Sequence, residues 1–462
     1  MKLLASTFLF FCLSATIYGA DMFDFDLRTF TPPDYTRSSL EFTGDFSFNR
    51  TITENSRLDW DYVRNDIDAV NESTIGGVYS YYTYSQKHIT DMAIELNYGY
   101  NYTFREYDES LDTDVAGNAI LIEADRMERF YFSSKYFFIL GAGAEFQYIK
   151  LTNSLNDDQM DRNYGFFGVL GFGWGRLEDV GYARTALFMY EDMQKYGVLK
   201  SAPDANDIRE LATLIAQRKN LRSLDYRDNF VENIKTFDQF FKNKSNVTPD
   251  AMTMAAYTDV FHNLSQTQRL YGSELKLEFR PIYENMLQER YNYVMESVLQ
   301  TRTGFISSVS YQYENPLSQK WQLSFLSRTG WSKQIQDADI EDTPVQKVTI
   351  DSYSYESTVT IGYYPTQRTS FSAMAGVMGQ HMEAELDGDH TPFSEASLNV
   401  ISLIIELDSY YYFSPNVTIF ASTGINYEFS DSSLSDPGYH EETLSEKQYD
   451  LLFEAGITYK LF

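Results

Sequence analysis

Residues able to do acid–base or metal chemistry are few in this chain and scattered. There are five histidines, His88, His262, His381, His390 and His440, with no HExxH or other close pair to hold a metal. The single cysteine, Cys12, rules out a disulfide within the chain and any cysteine-based zinc site. His390 has Asp387 and Asp389 beside it, and a histidine with a carboxylate is the minimum for general-base work. No serine motif accompanies it, so no catalytic residue is assigned. Asp337-Ala338-Asp339-Ile340-Glu341-Asp342 lacks the glycine and distal glutamate of a calcium loop. The run Gly171-Phe172-Gly173-Trp174-Gly175-Arg176 has a dinucleotide-like spacing, but Arg176 stands where the third glycine belongs and no βαβ unit follows. Glycines on one strand face serve instead to let a neighbour approach closely. No metal or cofactor is expected. With 66 Asp+Glu against 37 Lys+Arg and a net charge of −29, the chain is also a poor nucleic-acid partner.

The carboxylates are more informative. Glu314, Glu356, Glu406, Asp408, Glu428 and Glu454 all fall on the polar positions of alternating segments, with Arg328 and Lys460 the few cations among them. Turned into a water-filled pore, such a surplus concentrates cations and repels anions. The plainer reading is that these groups satisfy one another in a plugged lumen. A second acidic group, Glu383, Glu385, Asp387, Asp389 and Glu395, has no Lys or Arg within it and reads as an outer-loop cluster. The stretch 107–116 adds Asp108, Glu109, Asp112 and Asp114. Divalent ions bridging such loops to anionic lipid is the alternative to a simply solvated surface.

What must position these residues is set by a period of two. In 92–104, Met92, Ile94, Leu96, Tyr98, Tyr100, Tyr102 and Phe104 alternate with polar or small residues, and 417–429 and 451–461 repeat the pattern. Strands of soluble proteins run to about five or six residues, whereas tilted membrane strands need about 9–11. The length, and an aromatic content of 16% rich in tyrosine, favour a membrane barrel over a soluble sandwich. Asn315-Pro316-Leu317-Ser318, Pro365-Thr366-Gln367-Arg368 and Ser414-Pro415-Asn416 are tight turns, separated by long polar loops at 333–346, 383–395 and 431–445. Carried through the chain, this alternation predicts an all-β transmembrane barrel of about 14 antiparallel strands, with 12–16 as the range.

Between 177 and 270 the period changes to 3.6, with helical spacing at Leu177–Tyr196, Ala205–Asn220, Asp225–Asn243 and Pro249–Leu264. Asp204 is an expected N-cap, and Pro249 suits a first helical position. This segment is nearly neutral, with 13 Asp+Glu and 12 Lys+Arg. Six strands precede it, which places it on the periplasmic side, beneath the pore or inside it as a plug. The expected organisation is a signal peptide (1–20), an N-terminal segment (21–36), a first barrel part (37–176), an α-helical insert (177–270) and a second barrel part (271–462).

Residues 1–20 read as a secretory signal: Lys2, an apolar stretch from Leu3 to Ile17, then Gly19-Ala20. Together with the dyad strands and the closing Tyr459-Lys460-Leu461-Phe462, this resembles bacterial outer-membrane β-barrel proteins of the porin-like class. Gly173-Trp174-Gly175-Arg176-Leu177-Glu178-Asp179-Val180 and its helices look like inserts in uncharacterised outer-membrane barrels. The resemblance implies an outer-membrane location, contact with its lipid, and Tyr459 and Phe462 as the signal read by barrel assembly machinery. It transfers no functional residue. The expected function is a porin-like channel for small polar or cationic solutes. The alternatives are a closed structural barrel whose insert docks a periplasmic protein, and a rim hydrolase using His390.

Overall fold

The computed structural model describes residues 22–57, 62–107, 113–153, 158–219, 226–244, 246–248, 250–262, 269–292, 294–340, 346–387, 395–414, 417–435 and 442–460. Residues 1–21, with Cys12 and the expected signal peptide, lie outside them, as do His390, His440, Asp389 and Phe462. Fourteen strands follow in order: β1 (Tyr35–Arg57), β2 (Tyr62–Tyr84), β3 (His88–Tyr107), β4 (Thr113–Tyr131), β5 (Tyr136–Asn153), β6 (Asp158–Asp179) and β7 (Leu270–Asn292). The second half comprises β8 (Val294–Pro316), β9 (Trp321–Ile340), β10 (Gln346–Tyr363), β11 (Thr369–Asp387), β12 (Glu395–Ser414), β13 (Val417–Ser435) and β14 (Glu442–Lys460). Each pairs antiparallel with its sequence neighbour. The ring closes where β1 meets β14 at Glu41↔Lys460 and Phe42↔Tyr459.

Alternation assigns the faces. Ile94, Leu96, Tyr98 and Tyr100 on β3 are exposed, as are Phe138 and Leu140 on β5 and Ile401, Leu403, Ile405 and Leu407 on β12. The intervening polar residues therefore face the lumen. This is an all-β transmembrane barrel with an α-helical insert.

Strand lengths depart from the expectation. The polar stretches at 333–346, 383–395 and 431–445 are not loops throughout: β9 continues to Ile340, β11 to Asp387 and β13 to Ser435. Once a hairpin is in register its ladder satisfies backbone groups whatever the side chains, so pairing outruns the apolar band. The poorly alternating segment at 291–314 divides between the last residues of β7 and nearly all of β8.

The helices are α1 (Gly181–Lys195), α2 (Ala205–Lys219), α3 (Tyr226–Lys242) and α4 (Ala251–His262). Leu177 does not begin a helix, because Leu177 and Asp179 pair with Gly272 and Leu270 of β7. Asp179 then ends the strand, its Oδ1 accepting from Gly181 N at 2.9 Å. Asp204 Oδ1 caps α2, accepting from the N–H groups of Asn206 and Asp207 at 2.8 Å. At α4 the cap is Asp250, whose Oδ1 accepts from Thr253 N at 2.9 Å, and the helix starts beyond Pro249.

Candidate functional site: the lumen and its helical cap

Midway along the barrel the inward face is dominated by carboxylates. Glu95, Glu123 and Glu145 stand in one cross-strand row on β3, β4 and β5. On β12 and β13 the carboxylates are held by serines: Ser372 Oγ donates to Asp408 and Ser422 Oγ to Glu406, both at 3.0 Å, and Ser402 Oγ to Glu428 at 3.2 Å. Arg328 and Glu356 are aligned across β9 and β10. Position 454 is aligned with Ser422, its side chain outside the described residues. Arg302 pairs with Glu284 at 3.1 Å. Glu314 stands apart. It is buried near the turns and accepts from Gln312 Nε2 at 3.0 Å, Gln322 Nε2 at 2.9 Å and Ser324 Oγ. The row of Glu95, Glu123 and Glu145 escaped sequence reading, although the alternation at 92–104 already put Glu95 on a polar face.

Of the outer acidic residues, Glu383, Glu385, Asp387 and Glu395 lie among the described residues and Asp389 does not. Glu383 and Glu385 are exposed on β11, where Glu383 meets His381 Nε2 at 3.0 Å, and His381 Nδ1 meets Asn399 at 2.6 Å. Asp387 ends β11 and Glu395 begins β12, aligned with Glu385. Among the described residues no three His, Cys, Asp or Glu side chains are grouped to hold a metal.

At the turn end the same inward face changes character. Tyr35, Tyr84, Ile89, Tyr131, Phe137, Ile139 and Val169 are buried in one apolar core with the helices. The glycine run of β6 makes this possible. A Cβ on Gly173 would lie 2.0–2.6 Å from the Phe137 ring, and one on Gly171 3.1 Å from Ile139. Gly175 has φ +106°, and a Cβ there would meet Ser273 O at 2.0 Å. Only glycine takes that backbone without strain. Beyond it, Arg176 lies over the inward rings of Tyr84 and Tyr131, 4.8 and 4.5 Å from their centroids. Its guanidinium donates to Ser85 O and Gln86 O, and Nε pairs with Glu178 at 3.0 Å. Arg129 and Glu274 pair at 3.3 Å beneath this layer.

The N-terminal segment joins the same core through Phe23, Phe25, Leu27 and Phe30. Asp26 caps its 3-10 turn at Leu27–Thr29, accepting from Arg28 N at 3.0 Å. The side-chain hydrogen bond from Arg28 holds the Asp26 carboxyl below its usual range. Apolar residues alternate with acidic ones from Phe23 to Leu27.

Two buried arginines fasten the insert to the turns, Arg269 at the foot of β7 and Arg184 on α1. Arg269, fully buried, donates to Gln322 Oε1 at 2.8 Å and to the carbonyls of Ser318, Gln319 and Trp321 at 2.8–3.0 Å. Arg184 of α1 donates to Thr366 O at 3.1 Å and Tyr364 O at 3.4 Å. Both guanidiniums lie on the Tyr364 ring, 4.6 and 5.0 Å from its centroid. Burial, with the neighbouring charge of Arg269, holds Arg184 well below the usual arginine range, and burial raises Tyr364. The insert thus touches β1–β6 through its apolar core and the β8–β9 and β10–β11 turns through arginine. In a ring of fourteen the β10–β11 turn, reached by Arg184, lies across from β3 and β4, so the insert spans the mouth. Within it, Phe237 stacks on Tyr257 at 4.9 Å, and Lys244 joins Asp207 and Glu210 at 2.7 Å.

No protein-family model matches the sequence, and no curated protein sequence does. Among solved structures the chain is similar to the β domain of the Bordetella autotransporter BrkA, with 9% identity, 81% of this chain and 98% of that one covered, and a TM-score of 0.27. It is also similar to a mutant of the monoaromatic hydrocarbon channel TodX of Pseudomonas putida (8%, 94% and 91% covered, TM-score 0.33). A third likeness is to outer-membrane-expressed OmpT of Vibrio cholerae (8%, 92% and 98% covered, TM-score 0.22). Likenesses this slight carry no functional conclusion, and the barrel stands on its own strand pairing.

Proposed function

We propose that this protein is an outer-membrane barrel acting as a gated, cation-leaning channel for small polar or cationic solutes. Short turns face the periplasm and long hairpins face outward in such barrels, so the insert is read as a cap on the periplasmic mouth. One observation carries the reading: a carboxylate-rich polar lumen ends at a mouth spanned by an apolar core. Water and cations suit the first part, and the second stops them. Planar-bilayer recordings test it. The intact barrel should conduct rarely, and a barrel lacking 181–262 should conduct steadily and favour potassium over chloride. Silence from both, with each folded by heat-modifiability on gels, would sink the channel.

A second reading is a closed barrel whose insert docks a periplasmic protein. Exposed Tyr196, Val231 and Met252 on the insert favour it. It predicts no conductance even without the cap. The rim-hydrolase reading gains nothing from His381, which is engaged by Asn399 and Glu383.

A further inference from the structure

Beside the turn at 85–87 the outward face carries a patch that an apolar band does not explain. On β3 and β4 the register aligns His88 with Phe130, Thr90 with Glu128 and Met92 with Arg126. All lie on the same face as exposed Ile94, Leu96 and Ile122. Glu128 is enclosed by its neighbours: Thr90 Oγ1 donates to its Oε2 at 2.8 Å, Arg126 Nε donates to its Oε1 at 2.6 Å, and Oε2 also meets His88 Nε2. The His88 ring stacks on Phe130, 4.8 Å between centroids. The Arg126 side chain stays 61% exposed. An arginine facing hydrocarbon costs about 2–4 kcal/mol at the bilayer midplane and about 0–1 near the interface. His88 follows the turn at 85–87 directly, so the patch belongs at the interface.

His88 also lines a cleft of about 820 Å³ between the barrel rim and the end of α2. Asp34, Thr83, Ser85, Gln217 and Arg218 line it too. The cleft therefore offers a carboxylate, an imidazole, hydroxyls and the guanidinium of Arg218, which also pairs with Glu232 at 2.9 Å, and its His88 ring stacks on Phe130 of the outward apolar stripe. A cation and an anion beside an apolar flank match a zwitterionic lipid, whose phosphate and ammonium need opposite partners. We propose that this cleft seats the phosphoethanolamine headgroup of a phospholipid in the facing leaflet. The phosphate lies against Arg218 and His88, the ammonium against Asp34, and the acyl chains along the stripe. Glu128 and Phe130 hold the His88 ring in place for it.

The inference rests on the membrane placement proposed above and not on conduction. Native mass spectrometry of the full-length barrel in detergent tests it, with titration by phosphatidylethanolamine, phosphatidylglycerol and phosphatidylcholine of equal chain length. One phosphatidylethanolamine should be retained per barrel, at least tenfold more tightly than either other lipid. Arg218→Gln with His88→Gln should weaken it tenfold or more. Asp34→Asn, an exposed change, should abolish the preference while leaving some binding. Equal retention of the three lipids, unchanged affinity in the variants, or equally tight binding of soluble glycerophosphoethanolamine would each overturn the assignment. Lipid binding by a barrel that never conducts would remove the channel and leave this site standing.

Discussion

The two halves of the lumen are built on one wall and do opposite things. Midway, β3–β5 turn Glu95, Glu123 and Glu145 inward; nearer the turns, β2–β5 turn in Tyr84, Ile89, Tyr131, Phe137 and Ile139. Backbone pairing is the same in both. The difference lies in what fills the space. A row of carboxylates repels itself and keeps water, whereas aromatic rings exclude water once glycines opposite them give room. A gate can thus be made without altering the strand ladder, by changing which side chains meet a cap.

That contrast can be broken from either side. The largest effect is expected at the seal. Phe137→Ala should cost about 3–5 kcal/mol in unfolding free energy and raise single-channel open time, and a variant that stays as silent as the parent would mean the seal does not rest on this ring. Arg269→Ala leaves four acceptors without their donor and should cost about 2–4 kcal/mol. Limited proteolysis would report it, with cleavage inside 181–262 while the barrel survives. Uniform loss of the barrel would show that the arginine supports the wall and not the cap.

A pH effect on the cap comes next. Burial alone would lower the Lys244 ammonium, but its hydrogen bonds to Asp207 and Glu210 outweigh this and raise it. A raised amine contributes stability that is complete below its unfolded value and is lost as pH rises through the folded one. Protection of the insert against hydrogen exchange should therefore persist at neutral pH and fall in strongly alkaline solution, with Lys244→Met removing the transition. The smallest effect on stability is expected midway along the lumen. Glu406→Gln with Glu428→Gln should move unfolding by no more than about 0.5 kcal/mol, because their serine partners still find an acceptor, yet lower the potassium-to-chloride ratio in the bilayer. An unchanged ratio would assign selectivity elsewhere in the lumen.

Much of this fold was legible in the residues. A period of two held over long segments, broken by tight turns such as the one at Asn315–Ser318, is enough for fourteen strands, because pleat and register leave an alternating strand only one way to face. The switch to 3.6 at the insert, and Asp204 as its cap, were equally local. Boundaries were less legible: Leu177 to Asp179 look helical by spacing, yet the edge of β7 captures them. The N-terminal segment was passed over because four apolar residues say nothing until a groove exists to receive them.

By itself, then, the order of residue types determined the barrel, a strand number of about 14 within a range of 12–16, its two faces and the presence of a helical insert. All of these follow from periodicity and turn chemistry within a few dozen residues. Only the tertiary structure decided that Phe137 fits the space left by Gly173, that Arg184 and Arg269 share Tyr364, and that the insert spans the mouth. Those contacts join residues far apart in the chain, up to 180 positions between Arg184 and Tyr364, and no local pattern encodes which distant partner will complete them.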